Sequence, residues 1–178
     1  FDTVFTTVGS ATRQFMIYNK NNEALNIETV LLADGQKTGF RMNVDGRKGD
    51  RFDNLLILAK DSMYVFVEVT INPNDKDQPL LIQDSVVFSV NGIQQSVLLE
   101  AYGQDVHLLK GGITFDEDTT LSAKRPFLIY DNVTIAENTT VTIEKGATIY
   151  MHNDAQWIVS GTMVANGTED EPITFRGD

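Results

Sequence analysis

Residues 132–175 run NVTIAENT, TVTIEKGA, TIYMHNDA, QWIVSGTM, VANGTEDE and PITF, a repeat of eight in which the apolar pairs fall in the same two columns. Val133 and Ile135, Val141 and Ile143, Ile149 and Met151, Trp157 and Val159, and Ile173 and Phe175 fill those columns; only the VANGTEDE block leaves them empty. Three such blocks come to about 24 residues, roughly one coil of a three-faced parallel β-helix, and a fixed period of that size marks a solenoid. The register expects Trp157 one coil above Val133 and Ile173 one coil above Ile149, all facing inward. Gly146, Gly161 and Gly167 fall at block ends, where the chain turns a corner.

Working back toward the N-terminus, the pattern changes. From Phe1 to about Tyr102 short alternating or β-branched runs are separated by polar turns, the period-2 signature of half-buried strands. Strands are predicted at residues 3–8, 14–19, 25–33, 40–44, 55–58, 63–71, 85–90 and 94–102, with no helix. The sharpest turn is Asn91-Gly92, lying between Val86-Val87-Phe88-Ser89-Val90 and Val97-Leu98-Leu99, because both central residues of a type I′ hairpin need positive φ. Seven or eight strands in about 100 residues read as an antiparallel sandwich of immunoglobulin type. Alternation within the strands nominates Phe15, Ile17, Leu56, Val65, Val67, Val87 and Leu98 as its core. The fold class is therefore all-β: an immunoglobulin-like β-sandwich over residues 1–105, an ordered linker and β-helix cap over 106–126, and the first coils of a parallel β-helix over 127–178. In that linker Ile113 to Phe115 are expected to cover the first coil, since a bare solenoid end exposes unpaired backbone.

Composition narrows the function classes. The chain has 178 residues, 25 acidic against 14 basic, for a net charge of −11. Such a surface repels phosphate backbones and anionic lipid, so nucleic acid is not an expected partner. Cysteine is absent, which excludes disulfides, thiolate metal sites and cysteine nucleophiles. No apolar run reaches the length of a membrane span. Phe1 in place of an initiator Met suggests a processed or trimmed piece, and the strand-like ending Ile173-Thr174-Phe175-Arg176-Gly177-Asp178 suggests a chain cut from a longer one.

The first hundred residues resemble the Hydin or ASH-type immunoglobulin-like domains also met in exported proteins of Bacteroides-type bacteria. The resemblance is carried by Phe15-Met16-Ile17-Tyr18-Asn19, by Leu25-Asn26-Ile27 and by the run Ile57 to Val69. Asn72-Pro73, Asp84-Ser85, Gly92 and the closing Leu99 to Asp105 complete it. Val141-Thr142-Ile143-Glu144-Lys145-Gly146-Ala147, Gly161 to Thr168 and Glu171-Pro172-Ile173-Thr174-Phe175 are similar to the entry coils of right-handed β-helix proteins. These resemblances imply an exported protein at the outer membrane or cell surface of a Gram-negative bacterium, tethered through an upstream lipidated Cys that this sequence lacks. They also imply O-glycosylation at Asp followed by Ser or Thr and an apolar residue, which Thr3, Ser62 and Ser85 fit.

No residue is singled out as catalytic, cofactor-binding or metal-ligating. His107 and His152 share no pairing rule and read as surface or turn histidines. Asp75-Lys76-Asp77 and Asp116-Glu117-Asp118 read as solvated acidic turns, the first lacking the Gly and distal Glu of an EF-hand loop. No serine carries nucleophile-elbow glycines. Arg176-Gly177-Asp178 reads as an ordinary turn, the sequons at Asn132, Asn138 and Asn166 as solenoid corners, and Trp157 as core. The expectation is a non-enzymatic surface protein, structural, adhesive or binding, whose sandwich is a spacer or docking module for the β-helix. The alternatives are a polysaccharide lyase or glycoside hydrolase with its active coils beyond residue 178, or a carbohydrate-binding module. Partners are an unknown protein or glycan, with self-association possible through the last coil; no cofactor is expected.

Overall fold

The computed structural model describes every residue from Phe1 to Asp178, in two compact units, Phe1–Gln104 and Asp105–Asp178. The first is a sandwich of two sheets. Its strands are β1 (Thr3–Phe5), β2 (Arg13–Tyr18), β3 (Leu25–Leu32), β4 (Phe40–Val44), β5 (Arg47–Lys48), β6 (Arg51–Ile57), β7 (Ser62–Val69), β8 (Leu80–Val90) and β9 (Ile93–Gln104). One sheet has the order β1-β9-β8-β3-β6 and the other β2-β7-β4-β5. All pairs are antiparallel except β1 with β9, which run parallel.

Alternation explains the core between them. Phe40, Met42 and Val44 of β4 and Met63, Val65, Val67 and Val69 of β7 are buried, each such side chain contributing about 1.5–3 kcal/mol relative to exposure. Of the expected core, Val65 and Val67 are buried, and Phe15 and Ile17 pack partly buried against it. Leu56 and Leu98 are instead exposed, and Val87 is only half-buried. Their neighbours Leu55, Ile57, Val86 and Leu99 face inward, a one-residue slip that puts every side chain on the opposite face. Each slip falls on an apolar doublet, where alternation alone does not choose the face. In β6 the phase also changes within the strand, because Asn54 takes φ +54 between Leu55 and Asp53, so that both Phe52 and Leu55 reach the core.

The Asn91-Gly92 hairpin is present, with φ of +50 and +73 and Val90 opposite Ile93. A one-turn helix, α1 (Gly35–Thr38), departs from the helix-free expectation. Its cause is distant in sequence: buried Asp84 accepts the Asp34 N–H at 3.0 Å and the Thr38 hydroxyl at 2.6 Å, closing the turn. Gly39 ends it at φ +80, with a Cβ there only 2.1 Å from the Thr70 carbonyl oxygen.

The second unit is a parallel β-solenoid of about three turns. The first coil is β10 (His107–Leu109), β11 (Ile113–Phe115) and β12 (Thr119–Leu121); the second is β13 (Phe127–Ile129), β14 (Val133–Ile135) and β15 (Thr140–Ile143). The third is β16 (Thr148–Met151), β17 (Trp157–Val159) and β18 (Thr162–Ala165), and β19 (Thr174–Gly177) follows. Corresponding strands pair in parallel as β10-β13-β16-β19, β11-β14-β17 and β12-β15-β18. Residues 106–126, expected as linker and cap, thus hold a coil of their own, in register with the next.

Trp157 lies over Val133 as the repeat requires. Over Ile149, however, lies Phe175, not Ile173. The spacing grows along the solenoid: 20 residues from His107 to Phe127, 22 from Phe127 to Ile149, and 26 from Ile149 to Phe175. The extra residues sit in the corner that the VANGTEDE block forms, leaving Ile173 partly buried against the core just before β19. Gly161 is required by close approach, since a Cβ would come within 2.3 Å of the carbonyl oxygens of Ala136 and Thr139.

Candidate functional site

Three places gather chemistry. The largest is a cleft of about 620 Å³ at one open side of the sandwich. β2 is the outer strand of its sheet, and β1 covers β9 only from about Glu100 to Gln104, leaving Ile93 to Leu98 exposed along that edge. Between the two bare edges the inner faces show: Phe15 and Ile17 of β2, Phe88 and Val90 of β8, and Ile93 and Val97 of β9. Phe15 meets Phe88 edge-on at 5.9 Å. Ile93 is 65% exposed, an unusual position for an inward-facing isoleucine. The polar groups on this lining are Tyr18, Asn21, Asn91 and Gln95; no carboxylate, imidazole, ammonium or guanidinium lines it.

A second cleft of about 440 Å³, lined by Met42, Phe66 and Val67 together with the charged Arg41, Lys48, Asp50 and Glu68, lies where β4 and β7 meet Thr12 and Gly49-Asp50. Arg41 Nε donates to Glu68 at 3.1 Å and its Nη2 to the Thr70 hydroxyl at 2.7 Å, while Tyr64 stacks on Phe66 at 5.8 Å. The ion pair is solvent-exposed and contributes little to stability.

The third is a column along the solenoid, at the position following each strand of the β10-β13-β16-β19 sheet. Lys110 Nζ lies 5.5 Å from the Tyr130 ring, that ring stacks on His152 at 4.0 Å, and His152 Nδ1 is 2.7 Å from Asp178 Oδ2. Asn153 Nδ2 lies 3.0 Å from His152 Nε2. A carboxylate only accepts, so Nδ1 carries the hydrogen toward Asp178 and Nε2 accepts from Asn153. Both ring nitrogens and one ring face of His152 are engaged. Burial, and secondarily the Asp178 charge, raise the Tyr130 phenol above its ordinary value, which keeps it protonated. The column is a stacked ladder. Spacings of 20, 22 and 26 residues hide it from any fixed repeat.

The remaining candidates are dispersed. Thr3 is exposed on β1, Ser62 half-buried at the start of β7 and Ser85 half-buried within β8. Asp61 and Asp84 each accept the backbone N–H of the following serine at 2.7 Å. Asp118, from the acidic run 116–118, accepts the Thr140 N–H at 2.7 Å, Asp131 the Gly111 N–H at 2.6 Å and Glu144 the Ala123 N–H at 3.0 Å. These carboxylates clamp one coil to the next. His107 stacks on Phe127 at 4.8 Å, and Arg176 lies over Tyr150 and bonds its hydroxyl. Trp157 packs partly buried against the solenoid core. No group of three His, Asp or Glu residues has the arrangement of a metal site.

No family profile matches the chain. Protein bark beetle of Drosophila melanogaster is 29% identical over 128 residues, covering 66% of this chain, which spans only 4% of that protein's length. Among solved structures, a family 123 glycoside hydrolase of Clostridium perfringens aligns over 68% of this chain and 26% of its own, at 9% identity and a TM-score of 0.40. The CupB2 chaperone of Pseudomonas aeruginosa aligns over 53% of this chain and 48% of its own, at 7% identity and a TM-score of 0.33. At these scores neither alignment carries an argument about architecture or activity.

Proposed function

We propose that this chain is a non-enzymatic binding and structural part of an exported surface protein, with the sandwich as its docking module and the solenoid as a scaffold. One observation carries the reading: the largest cleft is apolar, open to solvent, and lined without a carboxylate, imidazole or amine. Acid–base or nucleophilic chemistry needs such groups within reach of the substrate; an exposed apolar cleft marks a place where something is bound. The resemblance to Hydin or ASH-type domains of Bacteroides-type proteins supports the same role, together with an outer-membrane or cell-surface location and a lipid tether upstream.

The test has two arms. Incubated with a panel of plant and host polysaccharides, the purified chain releases no reducing or unsaturated ends above a blank. Release of such ends, abolished by His152→Ala, would establish an enzyme and overturn the reading. An apolar fluorescent probe brightens on the native chain, and Val97→Asp removes that response. A second reading, glycan binding, is favoured by the Tyr64–Phe66 stack beside Arg41 and Glu68. Glycan-array signal lost in Tyr64→Ala but kept in Val97→Asp would place binding on that face instead.

A further inference from the structure

Resting on the binding reading above and carrying its glycan alternative further, we propose that the cleft at β4 and β7 binds one ring of a neutral sugar, with Phe66 beneath the ring and Asn43 reading its hydroxyls. The strands set out the site. Met42, Val44, Val65 and Val67 are buried, so the alternate residues Arg41 and Asn43 of β4 and Tyr64, Phe66 and Glu68 of β7 stand on the outer face of the sheet. Register then aligns them across strands. Asn43 pairs with Lys48 on one side and Phe66 on the other, Phe66 pairs with Gln14 of β2, and Arg41 pairs with Glu68. Lys48, Asn43 and Phe66 are thus neighbours in one row, at the roughly 4.8 Å spacing of paired strands. The Arg41–Glu68 ion pair occupies the next row, and Gly49-Asp50 lines the cleft beside Lys48.

The chemistry of the lining selects the ligand. A sugar ring carries C–H groups on a face and hydroxyls around its rim, so it suits an aromatic surface edged by groups that both donate and accept. Phe66 supplies the surface inside the cleft, and Tyr64, 43% exposed and within 18° of parallel to Phe66, continues it at the border. The edge holds two cations, Arg41 and Lys48, and two carboxylates, Asp50 and Glu68, so the lining has no net charge. An anionic ligand therefore finds no net attraction in the cleft and meets the −11 of the whole chain. Asn43 separates ligands that only accept from those that also donate. Its Oδ1 is buried without a hydrogen-bond partner, an acceptor that a carboxylate or phosphate cannot satisfy and a hydroxyl can once the amide turns toward the cleft. Arg41 is held in place for the same task. Its Nε is spent on Glu68 and its Nη2 reaches the Thr70 hydroxyl, which leaves the Nη1 hydrogens for the ligand.

The probes are cellohexaose, xylohexaose, mannohexaose and maltohexaose, with hexagalacturonate as the charged counterpart. Each is titrated into the intact 178-residue chain while backbone and side-chain amides are followed by NMR. Saturable binding of at least one neutral hexaose is expected, with shifts at Arg41, Asn43, Lys48 and Phe66 and in the Asn43 side-chain amide, and no binding of hexagalacturonate. Asn43→Ala removes an oxygen that bonds nothing in the free chain. It should therefore leave the urea midpoint unchanged while weakening binding about tenfold or more. Tyr64→Ala, at an exposed position, should weaken binding by a similar factor, whereas Tyr102→Ala, at a similarly exposed tyrosine on the other sheet, should leave affinity within about twofold. Failure of all four neutral hexaoses to bind, equal or tighter binding of hexagalacturonate, shifts confined to the other sheet, or affinity indifferent to Asn43→Ala in a folded variant would each overturn the proposal. If no hexaose binds while an apolar fluorophore still responds to Val97→Asp, the sugar site is refuted and the binding reading stands. Binding at Asn43 accompanied by release of reducing ends would keep the site and overturn the non-enzymatic reading.

Discussion

Asn19 shows how one side chain can hold a sandwich where no ladder reaches. It is 2% exposed, its amide donates to the carbonyls of Glu23, Ile57 and Leu58 at 2.8–3.1 Å, and its Oδ1 accepts the Asn21 N–H. A carboxylate has no donor to offer, so Asn19→Asp would bury a charge against three acceptors. The expected cost is about 3–5 kcal/mol, against about 1–3 kcal/mol for Asn19→Ala, and urea unfolding of the two variants measures the difference. Tyr130 gives a pH effect with a definite sign. Its folded pKa lies above the unfolded value of 10.0, from burial first and the Asp178 charge second. The folded state then holds the proton that the unfolded chain releases. The stabilisation is therefore complete below pH 10 and lost as the pH rises through the folded pKa. Unfolding curves from pH 9 to 12 should fall more steeply for the native chain than for Tyr130→Phe; parallel curves would deny the shift.

At the scale of elements, the solenoid is joined by side chains as well as by ladders. Asp118, Asp131 and Glu144 each accept a backbone N–H from a neighbouring coil, at corners where strand pairing has stopped. Charge-assisted bonds of this kind are stronger than neutral ones, yet these are exposed to water. Each of Asp118→Ala, Asp131→Ala and Glu144→Ala should cost about 0.5–1.5 kcal/mol and should raise amide exchange at Thr140, Gly111 and Ala123 respectively. Sequence shows acidic turns at these places without showing what they accept from. The same limit governs the rest of the fold. Local rules suffice for the Asn91-Gly92 hairpin, for β4, whose observed span Phe40–Val44 is the expected one, and for Trp157 over Val133. They fail at Leu56, Val87 and Leu98, where two adjacent apolar residues compete for one inward position. They fail again at Phe175, because one corner is longer than the repeat. The cleft was not legible at all. It is lined by β2, β8 and β9, strands from both sheets, and their apposition is a fact of long-range pairing that no spacing encodes.

Across the whole molecule, burial and charge together say where the chain opens first and what keeps copies apart. In the second coil Val133, Ile135, Val141 and Ile143 are at most 2% exposed, whereas in the third coil and β19 Ile158, Val159 and Phe175 are 44–47% exposed. β17, β18 and β19 each have a neighbour on one side only. A coil's stability includes its interfaces with the coils beside it, so in these 178 residues taken alone hydrogen exchange within the solenoid should be slower at β14 and β15, paired on both sides, than at β17 to β19. Uncovered β edges are templates for pairing with another chain. Against this stands a net charge of −11, which at low ionic strength makes two copies repel at any approach. Salt shortens the range of that repulsion to about 3 Å at 1 M while leaving apolar contact intact or strengthened. The chain should therefore sediment as a monomer in dilute buffer and associate as salt is raised toward about 1 M. Exchange at Thr162–Ala165 and Thr174–Gly177 should slow in step with association if the solenoid edge is the contact. Association with unchanged exchange there, and protection of Ile93–Leu98 instead, would assign self-pairing to the sandwich edge.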